Sequence, residues 1–572
     1  VGWPVLRQAS SNLIRGRVLD ENFLMTIATL GAFFLGEYPE GIFVMAFYQL
    51  GEFFQSYGVD KSRKTISSLM DLCPDYANLM NNGSTEKVNP QDVKTNDLIL
   101  VKPGEKIPLD GVIINGQSVI DTSALTGESM PREVSTGQDI LNGCINLTGT
   151  LTIRVTKEYE DSTVAKILDL VENAESKKAK VENFITRFAR YYTPAVVIIA
   201  AFMAILPPLL IQSASFQDWI YRSLTFLVIS CPCALVLSIP LSFFGGIGGA
   251  SKQGILIKGS NYLEALANAE IAVFDKTGTL TKGTFTVTEI HPRSITKEQL
   301  LELAAYAENY SLHPIALSLQ QAYGKTIDET RIEKVEEIPG HGIEAIIDGE
   351  IIYIGNKKLM DREGITGYDE TFIGTAVHLA KKGNYLGNIE IADEIKEDAR
   401  KAIQELKDLG IHDTVMLTGD NERVGNRVSE TIGLSQVFTQ LLPADKVEVM
   451  EKLLKKTSQK GKLLYVGDGI NDAPVLARAD VGIAMGGLGS DAAIEAADVV
   501  IMTDEPSKVA AAIKVAKKTM VIAKQNIAFS LIIKAAVLFL GALGIATMWA
   551  AVFADVGVSV LAILNALRTL KN

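Results

Sequence analysis

Residues 223–250 run without a single charged side chain, and a bilayer is crossed by ~20 consecutive apolar residues. A second apolar run, 194–211, stands just before it, so the two read as a membrane hairpin. Near the end, 535–554 carries no charge and 556–567 follows Asp555, with Lys534 interrupting the approach. At the start, 23–36 and 41–51 are shorter runs separated by Glu37-Tyr38-Pro39-Glu40. That makes three pairs of apolar segments with two large polar regions between them. Composition agrees: 47% hydrophobic residues is high for a soluble chain, and 21% charged is too many for a wholly membrane one. Lys and Arg flank each pair: Arg7, Arg15 and Arg17 with Lys61, Arg63 and Lys64; Arg187 and Arg190 with Lys252 and Lys258; Lys517, Lys518 and Lys524 with Arg568 and Lys571. The positive-inside rule then puts both polar regions and both termini on the cytoplasmic side and predicts six spans.

The first polar region, 61–185, alternates β-branched runs with Gly, Pro and Asn turns and reads as a compact β domain. The second, 252–520, alternates strand and helix patterns, with one subdomain inserted into another. In it, 271–274 reads as a buried strand that turns out into Asp275-Lys276-Thr277-Gly278-Thr279-Leu280-Thr281. Ligands of open α/β sheets bind at such strand ends, and a carboxylate there can attack a phosphoryl group. Two more acidic loops follow short apolar strands: Thr418-Gly419-Asp420-Asn421 after 414–417, and Gly467-Asp468-Gly469-Ile470-Asn471-Asp472 after 463–466. The three are expected to converge at one sheet edge, with Asp275 and Asp468 as ligands for Mg²⁺, a hard cation that takes carboxylate and phosphate oxygens. A net charge of −12 argues against nucleic acid, and four cysteines are too few for a disulfide scaffold.

Asp275–Thr281 resembles the phosphorylation motif of the P-type ATPases, and the likeness extends over essentially the whole chain. It implies a helical transmembrane bundle, a β-rich actuator domain, an α/β haloacid-dehalogenase-like phosphorylation domain and an inserted α+β nucleotide-binding domain. It also implies catalysis with ATP and Mg²⁺ through an aspartyl phosphate on Asp275. Thr126-Gly127-Glu128-Ser129 resembles the actuator loop, which gives Glu128, next to Gly127, the task of orienting water on that phosphate. By the same resemblance Thr277 adds its backbone carbonyl to the Mg²⁺ site, and Thr418, Lys446, Asn471 and Asp472 orient the phosphate. Glu308, His313, Gly340, Gly342, Gly355 and Asn356 match the nucleotide contacts of heavy-metal pumps, although Leu312 stands where that family more often has Glu. Gly324-Lys325-Thr326 is not a P-loop, because Leu319 stands where its first Gly is required.

Cys231-Pro232-Cys233 lies inside the fourth apolar segment. Proline removes a backbone donor there, and two thiolates aimed into one space select soft cations over Ca²⁺, Na⁺ or K⁺. Lys534 and Asp555 each cost ~2.5–3.5 kcal/mol in mid-bilayer on insertion scales, so each is expected to face the bundle interior and to pair or bind. The cuprous pumps carry Tyr-Asn and Met-Ser in these segments. The constellation here therefore resembles the Zn²⁺/Cd²⁺/Pb²⁺ branch, and a Cu⁺ pump is the same-fold alternative. A membrane-anchored phosphatase is a further alternative that leaves Cys231, Cys233 and Glu128 unexplained. Cys231, Cys233 and Asp555 are the expected metal ligands, Lys534 an internal counter-ion to Asp555, and Glu40 an exit ligand.

The expected domains are a first hairpin with its lead-in (1–60), the actuator (61–185), a second hairpin (186–251), the phosphorylation domain in two parts (252–284 and 391–520), the nucleotide domain (285–390) and a third hairpin (521–572). The protein is expected to be a monomer embedded in lipid, multi-pass, in a bacterial inner membrane, with soft divalent ions as cargo and a soluble metal donor as a candidate partner. Two further helices and a Cys-x-x-Cys domain are expected upstream of Val1.

Overall fold

The computed structural model describes residues 2–14, 21–67, 74, 76–81, 84–122, 132–162, 165, 179–211, 214–230, 233–311, 313–338, 341–368, 375–468, 472–486, 495–545 and 547–570. The chain forms two compact units, one of residues 1–268, 498–503 and 511–572, the other of residues 269–497 and 504–510.

In the first unit, four helices are long and apolar enough to cross a membrane among the described residues: Tyr191–Leu210, Phe216–Ser251, Ser507–Gly541 and Met548–Leu570. The first expected pair falls short by that measure. Glu21–Phe34 has only 14 residues, and Tyr38–Ser67 carries Glu52, Asp60, Lys61, Arg63 and Lys64 along its later half. Both nevertheless join the same apolar core, through Leu24, Met25, Ala28 and Ala32 on one and Val44, Met45 and Tyr48 on the other. Val196, Ala200, Leu224, Leu227, Val228, Met548, Ala551 and Val552 complete it. Lipid competes equally for apolar surface, so close fit rather than water exclusion drives such packing. Gly31 shows it: a Cβ there would stand 2.5 Å from Leu224 Cδ1.

The turn between the first two helices follows from one glycine. Gly36 takes φ +85°, its N–H reaches Phe33 O, and Glu37 N–H reaches Ala32 O, the paired bonds that close a helix on a left-handed residue. Helices also run through three of the expected domain boundaries: Tyr38–Ser67 through 60/61, Lys180–Leu210 through 185/186 and Ser507–Ala542 through 520/521. A change from apolar to charged side chains marks where a segment leaves the membrane but does not break a helix, since Lys, Glu and Gln are good helix formers.

The β domain of this unit has a six-stranded sheet and a three-stranded one. Ile99, Val101, Ile107, Leu109, Ile113, Leu151 and Ile153 form its buried interior. Strands Gln117–Asp121 and Arg132–Ser135 pair antiparallel with Ile120 opposite Arg132. Gly127 and Glu128 belong to the connection between them and lie outside the described residues.

The second unit holds a parallel sheet with Ala269–Asp275 at its centre, between Asp413–Leu417 on one side and Lys462–Gly467 on the other. Gln436–Phe438 and Val481–Ala484 flank these in turn, also parallel. The expected strands 271–274, 414–417 and 463–466 are thus the three middle ones, and all three acidic loops leave from the same edge. The long strands Thr281–Pro292 and Asn384–Ile395 pair antiparallel and lead into an inserted six-stranded sheet. Helices Lys297–Ala307 and Pro314–Tyr323 cover one face of it, through Leu300, Ala304, Leu319, Ile343, Ile354 and Ile389. Gly324 ends the second of these helices at φ +63°, its N–H on Gln320 O, so the apparent Gly-Lys-Thr motif is a helix cap.

Candidate functional site

Asp275 ends the central strand and is 7% exposed. Lys446, in the first turn of helix Pro443–Leu454, places its Nζ 2.5 Å from Asp275 Oδ1 and 2.9 Å from Asp472 Oδ1. The chain turns sharply at Gly278, φ +72°, where an added Cβ would stand 3.2 Å from Asp468 Oδ2. Glycine is therefore required both by conformation and by the approach of Asp468. Burial, then the negative charge of Asp472, raises the Asp275 carboxyl to about 7, with Asp468 adding to it and Lys446 opposing. Three carboxylates with one lysine leave a surplus of negative charge on hard oxygen donors. That set fits Mg²⁺.

Thr418 is buried at the end of its strand, and its Oγ1 accepts the N–H of Asp420 at 3.1 Å. Asn471 lies outside the described residues. Several neighbours are assigned no role of their own from the sequence. Lys276 is paired with Asp420 at 2.5 Å and lies 3.8 Å from Asp393. Lys396 donates to Gly278 O at 2.9 Å and pairs with Asp504 at 2.7 Å, which braces the loop that follows Asp275. The run Asp393-Glu394-Ile395-Lys396 closes strand Asn384–Ile395, and the pairing of Ile395 with Thr281 brings it to the loop.

In the inserted domain, Glu308 follows helix Lys297–Ala307, and burial raises its carboxyl to about 7. His313 caps the next helix: its Nδ1 accepts Ile315 N–H at 3.3 Å, and its own N–H donates to Ser311 Oγ at 3.3 Å. Gly342 and Gly355 face each other across the sheet. A Cβ on either would come within 2.2 Å of a backbone oxygen. Asn356 donates its N–H to His341 O at 2.9 Å and caps helix Lys357–Arg362. Ala307, Ile343 and Ile354, each the chain neighbour of one of these residues, share one core. Gly340 and Leu312 lie outside the described residues.

In the membrane helices, Lys534 Nζ lies 2.6 Å from Asp555 Oδ1 and 3.3 Å from Ile229 O. Both side chains are more than nine-tenths buried. Ile229 ends helix Phe216–Ile229, and the next helix begins at Cys233. A carbonyl in the last turn of a helix lacks an intrahelical partner and can take the ammonium. Cys231, together with Pro232, lies outside the described residues, and of Cys233 only the backbone is described. Glu40 begins helix Tyr38–Ser67 and accepts a hydrogen bond from Tyr221 OH at 3.0 Å; the same hydroxyl accepts Met548 N–H at 3.1 Å. The other Glu40 oxygen is buried without a hydrogen-bond partner among the described residues.

Residues 71–172 match the P-type ATPase actuator domain, and residues 269–480 match the haloacid dehalogenase-like hydrolases. Over all of its length the chain is 59% identical to the cadmium, zinc and cobalt-transporting ATPase of Bacillus subtilis, covering 82% of that protein. It is 57% identical to the zinc-transporting ATPase of Synechocystis, covering 79% of it. The crystal structure of a zinc-transporting PIB-type ATPase in the E2·Pi state, 36% identical, superposes with a TM-score of 0.63 and covers all of this chain and 93% of that one.

Proposed function

The chain belongs to the heavy-metal-transporting P-type ATPases, multi-pass membrane pumps that export Zn²⁺, Cd²⁺ and Co²⁺ at the expense of ATP, and we propose that Asp275 and Asp555 are the two carboxylates that join its chemistry to its cargo. Cobalt replaces lead in the expected substrate set, because the Bacillus subtilis relative names cobalt and none of those described names lead.

The Asp275 carboxylate attacks the γ-phosphorus of ATP. An O–P bond forms as the bond to the bridging oxygen breaks, and ADP leaves. Lys446 stands between Asp275 and Asp472 and offsets charge on the entering phosphoryl group, while Thr418 and Asp472 orient it. Asp275, Asp468 and the Thr277 carbonyl would hold Mg²⁺, which supplies further neutralisation of that charge when bound. Glu308, His313, Gly340, Gly342, Gly355 and Asn356 hold the nucleotide. The two glycines have room for no side chain, which suits close approach of a ligand to the backbone. Asn471 and the water-orienting Glu128 are assigned on their motifs alone.

Cys231, Cys233 and Asp555 bind the metal as thiolates and carboxylate, a set that suits zinc. The observation that carries this reading is the buried Lys534–Asp555 pair at the Ile229 carbonyl. A cation entering at Asp555 must displace the ammonium, and when the metal leaves the ammonium returns. Glu40, with one unpartnered oxygen, receives the ion on its way out. The membrane is a bacterial plasma membrane, with the catalytic domains on the Lys- and Arg-flanked side.

ATP hydrolysis by the detergent-solubilised protein, measured with Zn²⁺, Cd²⁺, Co²⁺, Pb²⁺ and Cu⁺, tests this. Activation by the first three, absent in Asp275→Asn and Asp555→Ala, is expected. Activation by Cu⁺ alone would assign the alternative cargo and end the role given to Lys534 and Asp555.

A further inference from the structure

The inserted sheet has a second face, turned away from helices Lys297–Ala307 and Pro314–Tyr323. Ile290, Ile389 and Ile391 point into the core under those helices, so Glu289, His291, Asn388 and Glu390 take the opposite face by alternation. Glu289 pairs directly with Glu390, and His291 with Asn388, across the two long strands. Directly opposed residues share a face.

Three features of this square point to a ligand. Two carboxylates directly opposed destabilise a sheet unless something offsets their charge. A register shift between Val287 and Glu289 is what puts Glu289 there, because plain alternation from the core residue Val287 would bury it. Bulges re-aim side chains in this way. Lastly, Asn388 is 2% exposed and its Oδ1 has no hydrogen-bond partner among the described residues, while its Nδ2 is pinned on Tyr385 OH at 3.1 Å.

The spacing suits a metal. His291 Nε2 lies 3.2 Å from Glu289 Oε2 and 3.4 Å from Glu390 Oε1, and the three atoms lie within 4.8 Å of one another. Ligand atoms at tetrahedral zinc, with bonds of ~2.0–2.1 Å, stand ~3.4 Å apart. The widest gap closes with a rotamer change of Glu289, which is half-exposed. One imidazole with two carboxylates selects a borderline cation. Mg²⁺ and Ca²⁺ take oxygen only, and Cu⁺ wants thiolate or thioether.

We propose that Glu289, His291 and Glu390 form a second binding site for a Zn²⁺-class divalent cation, on the sheet face that also carries Asn388. The site is independent of Cys231, Cys233 and Asp555, and it does not rest on the function proposed for them.

Cadmium NMR of the full-length protein separates the two, since thiolate and nitrogen–oxygen sites resonate far apart. The expected result is a thiolate resonance and a separate nitrogen–oxygen resonance. The second should disappear in His291→Gln and Glu390→Gln and persist in Asp555→Ala. His291 is part-exposed, so His291→Gln is expected to fold, with metal-stimulated ATP hydrolysis retained as the check. The proposal is overturned if the wild type shows no nitrogen–oxygen resonance, or if that resonance survives in His291→Gln. Loss of the thiolate resonance alone would count against the membrane site and leave this one standing.

Discussion

Two buried aspartates in this molecule each hold a lysine ammonium, Asp275 with Lys446 at 2.5 Å and Asp555 with Lys534 at 2.6 Å. The pairs share their chemistry and differ in what stands around them. Asp275 has Asp472 bridged to the same lysine and Asp468 close by, so negative charge is in surplus and its carboxyl is held well above the usual range. Among the described residues, Asp555 faces Lys534, which also donates to the Ile229 carbonyl, and that pair carries no net charge. The first arrangement calls for an additional cation before an anionic phosphate can approach. The second admits a cation only by exchange. On the function proposed above, a carboxylate–lysine pair serves as a catalytic device in one setting and a competitive gate in the other, and the neighbouring charges distinguish the two.

The largest effect expected from breaking this comparison is at Asp275. Asp275→Asn should abolish phosphoenzyme formation and turnover, read by acid-stable labelling from radioactive ATP; residual labelling would mean that another residue is the nucleophile. Asp555→Ala strands the Lys534 ammonium. Removing one partner of a buried pair costs ~3–5 kcal/mol, so both metal stimulation and thermal stability should fall. Asp555→Asn, with milder loss of stability, separates folding from binding. Lys534→Ala removes the competing ammonium, so half-maximal stimulation should need less metal and more net charge should move per cycle; an unchanged charge per turnover in vesicles would remove the counter-ion role.

A smaller effect sharpens the contrast, because Glu308 is a buried carboxyl that pairs with no lysine among the described residues. Burial raises it to about 7. Its proton is therefore bound more tightly in the folded than in the unfolded chain, where ~4.3 is ordinary. That contribution to stability is complete below about pH 4.5 and is lost as pH rises to about 7, a change on the order of 1–3 kcal/mol. Glu308→Gln should flatten this limb, measured as hydrogen exchange of strand Asn384–Ile395 across that range. An identical pH dependence in the variant would mean that Glu308 is not the group responsible.

How far the sequence could be read depends on the range of each rule. The strand before Asp275 and the strands before the other acidic loops are legible from short apolar runs ended by small and acidic residues. The turn at Gly36 follows from glycine and the proline behind it. The apolar segments are legible in order, but their lengths as helices are not: Tyr38–Ser67 continues well past its apolar part, since helix propensity persists where hydropathy stops. Gly324-Lys325-Thr326 was separable from a phosphate loop by spacing alone.

What lies near Asp275 and Lys534 was decided elsewhere. Lys446 comes to Asp275 from 171 residues away, Lys534 to Ile229 O from 305, and Lys396 to Gly278 O from 118. The bulge that turns Glu289 outward likewise depends on the partner strand, 384–395, and on no local motif. The sequence by itself determined the segregation of apolar from polar stretches, the aspartate at the strand end and the presence of a lysine and an aspartate in apolar surroundings. Those follow from hydropathy, period and turn chemistry, which act over a few residues. Apart from the Lys534–Asp555 pair, the partner of each charge was settled by strand order, register and helix packing, because a Coulombic contact has no sequence period and is set by whichever chain segment the core delivers to it.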